Sequence, residues 1–161
     1  MKRLFALTAV MLLSSAMFFA VICAGADTRP SKGTWSGNNY IVGTCPVPAG
    51  AALSISVGKG YSTLTGASDW FSVTCTDLAT GHGEGNAIIT AANGDVLYLL
   101  ISIDITGLSE PVGTWVQTSV VTGGTGRFAD ATGESTSNGT ITPTGLTTFI
   151  WAGTHEGEIS Y

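Results

Sequence analysis

The sequence predicts an all-β domain, an antiparallel sandwich or barrel, behind a short secretory leader. Three observations point there. Beyond residue 26 the chain carries 21 Gly and 22 Thr; glycine punctuates turns and threonine favours pleated, half-buried surfaces. No window sustains a helical period, and the one local helix candidate, residues 49–53, is too short to matter. Strand-like runs recur between Gly-rich turns about every ten residues, the spacing of antiparallel sheets.

The leader comes first. Lys2 and Arg3 form a positive start, residues 4–21 are an apolar run broken only by Thr8, Ser14 and Ser15, and Ala24-Gly25-Ala26 is a small-residue cleavage site. The expectation is cleavage before Asp27 by signal peptidase. The competing fates are an uncleaved anchor, since the run nearly spans a bilayer, and a lipid on Cys23, disfavoured by Ile22 before it. The mature chain, 27–161, is then a single domain with a real core, and it has no second apolar stretch that could span a membrane as a helix.

The expected strands are 34–42, 52–57, 61–65, 70–76, 86–91, 96–106, 114–122, 127–135, 139–142 and 147–161, eight to ten in all allowing for splits. Gly58-Lys59-Gly60 reads as a turn between the second and third. Asn93-Gly94-Asp95 is the clearest hairpin connection, because Asn and Gly both tolerate positive φ. In the run 96–106, Leu97, Leu99, Ile101, Ile103 and Ile105 share one face, while Val96, Tyr98, Leu100, Ser102 and Asp104 share the other. One face is wholly apolar and the second is apolar at one end, so this strand is central or its outer side is covered by a neighbour.

Charge and cysteine content narrow the function. The mature part keeps 4 of the chain's 6 Lys and Arg and all 11 Asp and Glu, a formal charge of −7. Nucleic-acid binding needs the opposite sign, and anionic membrane surfaces would repel the processed chain. With Cys23 in the leader, Cys45 and Cys75 form one pair in an exported protein and read as a disulfide. Two cysteines without neighbouring histidines are too few for structural zinc.

Three stretches resemble a known family: Thr90-Ala91-Ala92-Asn93-Gly94-Asp95-Val96-Leu97-Tyr98; Gly123-Gly124-Thr125-Gly126-Arg127-Phe128, continuing Ala129-Asp130-Ala131-Thr132-Gly133; and the closing Gly157-Glu158-Ile159-Ser160-Tyr161. In order and spacing they are similar to exported bacterial proteins with an allene oxide cyclase-like barrel, and the G-G-T-G-[RK]-F turn also resembles that of plant dirigent proteins. The resemblance runs from about Gly58 to the end. It implies an eight-stranded antiparallel barrel with a tapered, largely apolar interior, and a homotrimer, as relatives often are. It carries over no catalytic residue, because the matched stretches are turns and strand packing. Relatives often have T-H-L-G in an early strand; here Ser62-Thr63-Leu64-Thr65-Gly66 has no His, which weakens an enzymatic reading.

Candidate chemical groups are few. His82 and His155 each lie near carboxylates, but they are far apart in sequence with no third ligand at fixed spacing, so they read as polar loop or strand-end residues rather than metal ligands. There is no G-x-S-x-G elbow and no Cys–His nucleophile pair. Gly-Gly-Thr-Gly is not a phosphate loop, since a strand rather than a helix is expected after it. Asp130 and Glu134, placed on the face of Phe128 in one strand, would lie about 13 Å apart, too far for a glycosidase pair. Asn138-Gly139-Thr140 is a glycosylation sequon that matters only in a eukaryotic host. The aromatics Trp35, Tyr40, Trp70, Phe71, Tyr98, Trp115, Phe149 and Trp151 are spread over many strands. They fill the barrel or line a pocket in it.

The expectation is therefore an exported barrel without cofactor or metal, more binding or structural module than enzyme. Trp70, Tyr98, Trp115 and Trp151 are the expected ligand-contacting residues. The alternatives are a cyclase- or coupling-type enzyme acting in the barrel mouth, and a cell-surface adhesion module.

Overall fold

A computed structural model describes residues 27–161; the expected leader, its expected cleavage site and Cys23 lie outside the described residues. Eight strands follow in chain order: β1 (Thr28–Thr44), β2 (Ala52–Ser62), β3 (Gly66–Thr76), β4 (His82–Thr90), β5 (Val96–Thr106), β6 (Gly113–Gly124), β7 (Thr132–Pro143) and β8 (Thr148–Ser160). Each pairs antiparallel with the next, and β1 pairs with β8, so the sheet closes into a barrel without a free edge. Among the described residues no helix is long and apolar enough to cross a membrane.

Period-two alternation decides what faces in. On β5 the expected apolar face, Leu97 to Ile105, points inward, and Leu97, Leu99 and Ile101 are buried. Interior positions elsewhere carry small residues: Ser54, Gly58 and Gly60 on β2, Ser72 and Thr74 on β3, Ala87 on β4, Ser135 and Ser137 on β7. An eight-stranded barrel is just wide enough for side chains to fill. Small residues on several strands therefore create the space that large ones on others occupy.

The two ends differ. At one end Leu64, Ala91, Leu97, Phe128, Ala131 and Ile159 form a buried cluster with Tyr161 packed against it. Phe128 is completely buried and meets the Tyr161 ring at 5.2 Å. Asp95 ties the β4–β5 turn to the turn after β6: its carboxylate accepts from the Arg127 backbone N–H at 3.3 Å, and the Val96 N–H donates to Thr125 Oγ1 at 2.9 Å. Arg127 Nη2 donates to the Leu64 carbonyl at 3.0 Å. All three stretches that carried the family resemblance thus meet here, as a plug. At the other end Ile41, Leu78, Ile105, Leu108 and Phe149 rim an opening. The Cys45–Cys75 disulfide ties the β1–β2 loop to β3 at this rim, with Cα atoms 5.9 Å apart across 30 residues of sequence. A loop of that length stabilises the fold by roughly 3–4 kcal/mol in the chain-entropy model.

Several local expectations are corrected. Gly58-Lys59-Gly60 is no turn; β2 runs straight through it, paired with β1 and β3. The expected strands 127–135 and 139–142 are instead a single 3₁₀ turn, Gly126–Phe128, followed by one strand, β7. Phe128 enters the core from that turn, so Asp130 and Glu134 do not share a strand face with it. Gly-Gly-Thr-Gly therefore leads into a helical turn rather than a strand, but the N-terminus of that turn faces the Asp95 carboxylate, and a Cβ at Gly126 would land on that group. In the β4–β5 turn only Gly94 has positive φ; Asn93 does not use it. Residues 46–50, overlapping the helix candidate, are turn.

The outer wall is divided. Val57, Phe71, Ile88 and Tyr98 are consecutive cross-strand partners over β2–β5, and Leu100 pairs with Val120 beside them. All six are exposed. On β7 and β8, by contrast, Glu134 lies opposite Glu158, and Glu156 pairs with Lys32 at 3.6 Å. Apolar and charged surface thus occupy different sectors of the outer wall.

Candidate functional site

The four tryptophans of the chain all project into the lumen, from β1 (Trp35), β3 (Trp70), β6 (Trp115) and β8 (Trp151). Their rings form a continuous series: Trp35–Trp70 at 6.0 Å, Trp70–Trp151 at 6.4 Å and Trp151–Trp115 at 6.2 Å, tilted or edge-to-face. Such tilted contacts suit the ring quadrupole.

Inward glycines seat these rings. A Cβ at Gly58 would stand 2.7 Å from Trp151 Cζ2, one at Gly60 would stand 2.5 Å from Trp35 Cε3, and one at Gly153 would stand 2.6 Å from Trp115 Cζ2. None of these three glycines has positive φ. They are there for space, which is why Gly58-Lys59-Gly60 mimicked a turn in the sequence.

Polar groups around the rings are largely paired with one another. Trp70 Nε1 donates to Ser72 Oγ at 3.2 Å, and Trp115 Nε1 to the Thr140 carbonyl at 3.0 Å. Ser54 and Thr74 share a hydrogen bond of 2.7 Å; Gln117 Nε2 donates to Ser119 Oγ at 3.0 Å. Trp151 Nε1 is buried without a partner. The rings and hydroxyls enclose a cavity of about 100 Å³ that opens at the rim, and no Asp, Glu, Lys or Arg lines it.

His155 is the titratable side chain among the lining residues. Trp35 Nε1 donates to its Nδ1 at 2.8 Å, and its Nε2 lies 3.1 Å from Ser31 Oγ. An indole nitrogen can only donate, so Nδ1 must be bare and the proton sits on Nε2, directed to Ser31. Ser31 Oγ in turn lies 3.2 Å from Ser62 Oγ. Burial holds the imidazole below its ordinary value. His82 is different in kind: it sits outside on β4, its Nδ1 2.8 Å from Asp104 Oδ1 on β5, and that hydrogen bond raises its pKa.

Of the expected ligand-contacting residues, Trp70, Trp115 and Trp151 are brought together in the lumen. Tyr98 is not: it alternates with Leu97 and Leu99, which point in, and so stands on the outer wall, 43% exposed. His155, by its sequence a polar loop or strand-end residue, is instead a lumen residue within β8. Its signal was available in β8, where Phe149, Trp151, Gly153, His155, Gly157 and Ile159 share one parity. Nothing in the sequence pairs Trp35 with His155.

Among solved structures, the chain is similar to a pterocarpan synthase dirigent protein, GePTS1. The TM-score is 0.51, with 84% of this chain and 87% of that one covered at 12% sequence identity. The barrel therefore has the dirigent, allene oxide cyclase-like fold; a likeness at that identity is one of fold. No family model matches the sequence, and no curated protein matches it.

Proposed function

We propose that this chain is an exported barrel that binds a neutral, apolar small molecule in its lumen without transforming it. The observation that carries this reading is the unbroken series of four tryptophans around an uncharged cavity open at one end. Ligand sites are apolar concavities with a few oriented polar groups. A dry apolar cavity of roughly 150 Å³ admits benzene; this one, about 100 Å³ and open at the rim, holds no more than one ring, and the rest of a larger ligand would lie in the mouth. The Cys45–Cys75 disulfide supports export, since such bonds persist in oxidising compartments. A cyclase- or coupling-type activity is weaker, because both nitrogens of His155 already have partners. The adhesion reading rests on the outer apolar sector and belongs with self-association, toward a trimer.

Intrinsic fluorescence tests the binding reading cleanly, because every tryptophan lies in the site. Titration of the mature protein with neutral N-phenyl-1-naphthylamine should give saturable one-to-one loss of tryptophan emission at micromolar probe. A response that never saturates, or none, sinks it.

A further inference from the structure

We infer that His155 is a proton-operated latch on the lumen: its neutral ring holds Trp35 in the aromatic wall, and taking up a second proton releases that ring and lowers affinity for the ligand. The inference rests on the binding reading above for its ligand and on the geometry alone for its latch.

The latch is a donor–acceptor mismatch waiting on one proton. Trp35 Nε1–H points at the bare His155 Nδ1 at 2.8 Å. In imidazolium both ring nitrogens carry hydrogen, so Nδ1–H would face Nε1–H, and neither can accept. No rotation of an indole supplies an acceptor, so one ring must leave. The His155 ring sits in a niche that Gly33 leaves open, its Cε1 2.7 Å from where a Cβ of that residue would stand. Trp35 borders Trp70 at 6.0 Å, and losing it breaks the wall at one end.

Among the described residues, no carboxylate faces the His155 ring to compensate a positive charge. The neighbouring elements present Ser31, Gly33 and Trp35 from β1, Gly60 and Ser62 from β2, and Ser137 from β7, which is paired with His155 in register. The charged groups closest in sequence, Glu156 and Glu158, alternate to the outside with Lys32 and Glu134. An uncompensated buried cation is expensive, consistent with burial holding the imidazole below its ordinary value of about 6.5.

The sign follows from linkage. A histidine whose folded pKa is depressed binds fewer protons folded than unfolded. Its stabilisation is complete above about pH 6.5 and is lost as pH falls toward the folded value. His82, with a raised pKa, acts oppositely: its contribution is present below about pH 6.5 and is lost as pH rises through the folded value. It is exposed on the outer wall and is not among the residues lining the lumen, so His82→Gln serves as the control.

The experiment follows the Trp35 indole N–H and the His155 ring by NMR, and N-phenyl-1-naphthylamine affinity by fluorescence, from about pH 7.5 to about pH 4.5. The expected result is one midpoint below about 6.5 for all three, unchanged in His82→Gln, with affinity falling about tenfold per pH unit below it. His155→Asn, which keeps an acceptor near the Nδ1 position, should bind with no acid loss. The latch is overturned if the Trp35 resonance stays constant while His155 titrates, or if affinity is as acid-sensitive in a folded His155→Asn protein. A probe that binds at no pH overturns the ligand reading instead, and the NMR midpoints still decide the latch.

Discussion

At Gly58 the lumen wall has no Cβ, and the Trp151 ring fills that space. Alanine there would meet Trp151 Cζ2 and Ser36 O, each at 2.7 Å. Overpacking of this kind costs about 1–3 kcal/mol, so Gly58→Ala should lower the urea midpoint and disturb tryptophan fluorescence. Gly43, on the same sheet, has nothing within 4 Å of a built Cβ, and Gly43→Ala should leave both unchanged. Equal effects from the two substitutions would show that the seats do not hold the rings. At this scale the sequence was legible in kind but not in use: three of the four expected ligand residues reach the lumen, while a glycine pair that looks like a turn is a pair of ring sockets.

The elements show the same division between pattern and cause. β5 was legible residue by residue because its alternation is strong and both its ends carry turn signals. Arg127 and Phe128 were read as strand because Arg-Phe followed by alternating residues fits period two, yet Gly126, at φ +55°, turns the chain into a 3₁₀ turn. That turn drives Phe128 into the closed end, fully buried against Tyr161 and beneath the Arg127 guanidinium at 4.6 Å. Truncating it leaves a void in a plug that has no other large aromatic at its centre. Phe128→Ala should cost about 3–5 kcal/mol in denaturant unfolding, and a loss near 1 kcal/mol would mean that the plug collapses around the gap.

On the whole molecule, the apolar outer sector is the feature that a single chain leaves uncovered. Phe71, Ile88, Tyr98 and Leu100 are 42%, 36%, 43% and 52% exposed on adjoining strands, and contiguous apolar surface of this kind marks interfaces. Light scattering of the mature protein at tens of micromolar should report an oligomer, with a trimer the expectation from the family resemblance. Leu100→Lys should shift it to monomer without changing lumen fluorescence. A strict monomer in the unsubstituted protein removes the interface.

What the sequence alone determined is what local pattern encodes: an all-β chain, the face of β5 that turns inward, a lone cysteine pair read as a disulfide, and two turn segments and a closing strand that resemble one barrel family. Closure of the barrel was decided only in three dimensions. It depends on β1 pairing with β8 across more than a hundred residues, a contact that period-two alternation cannot register. The site shares that dependence. Trp35 and His155 are 120 residues apart and meet only because those two strands form the seam, and the glycines that seat the tryptophans face rings from other strands. Alternation assigns a side chain to a face; which neighbours it finds there is set by the register of the closed sheet.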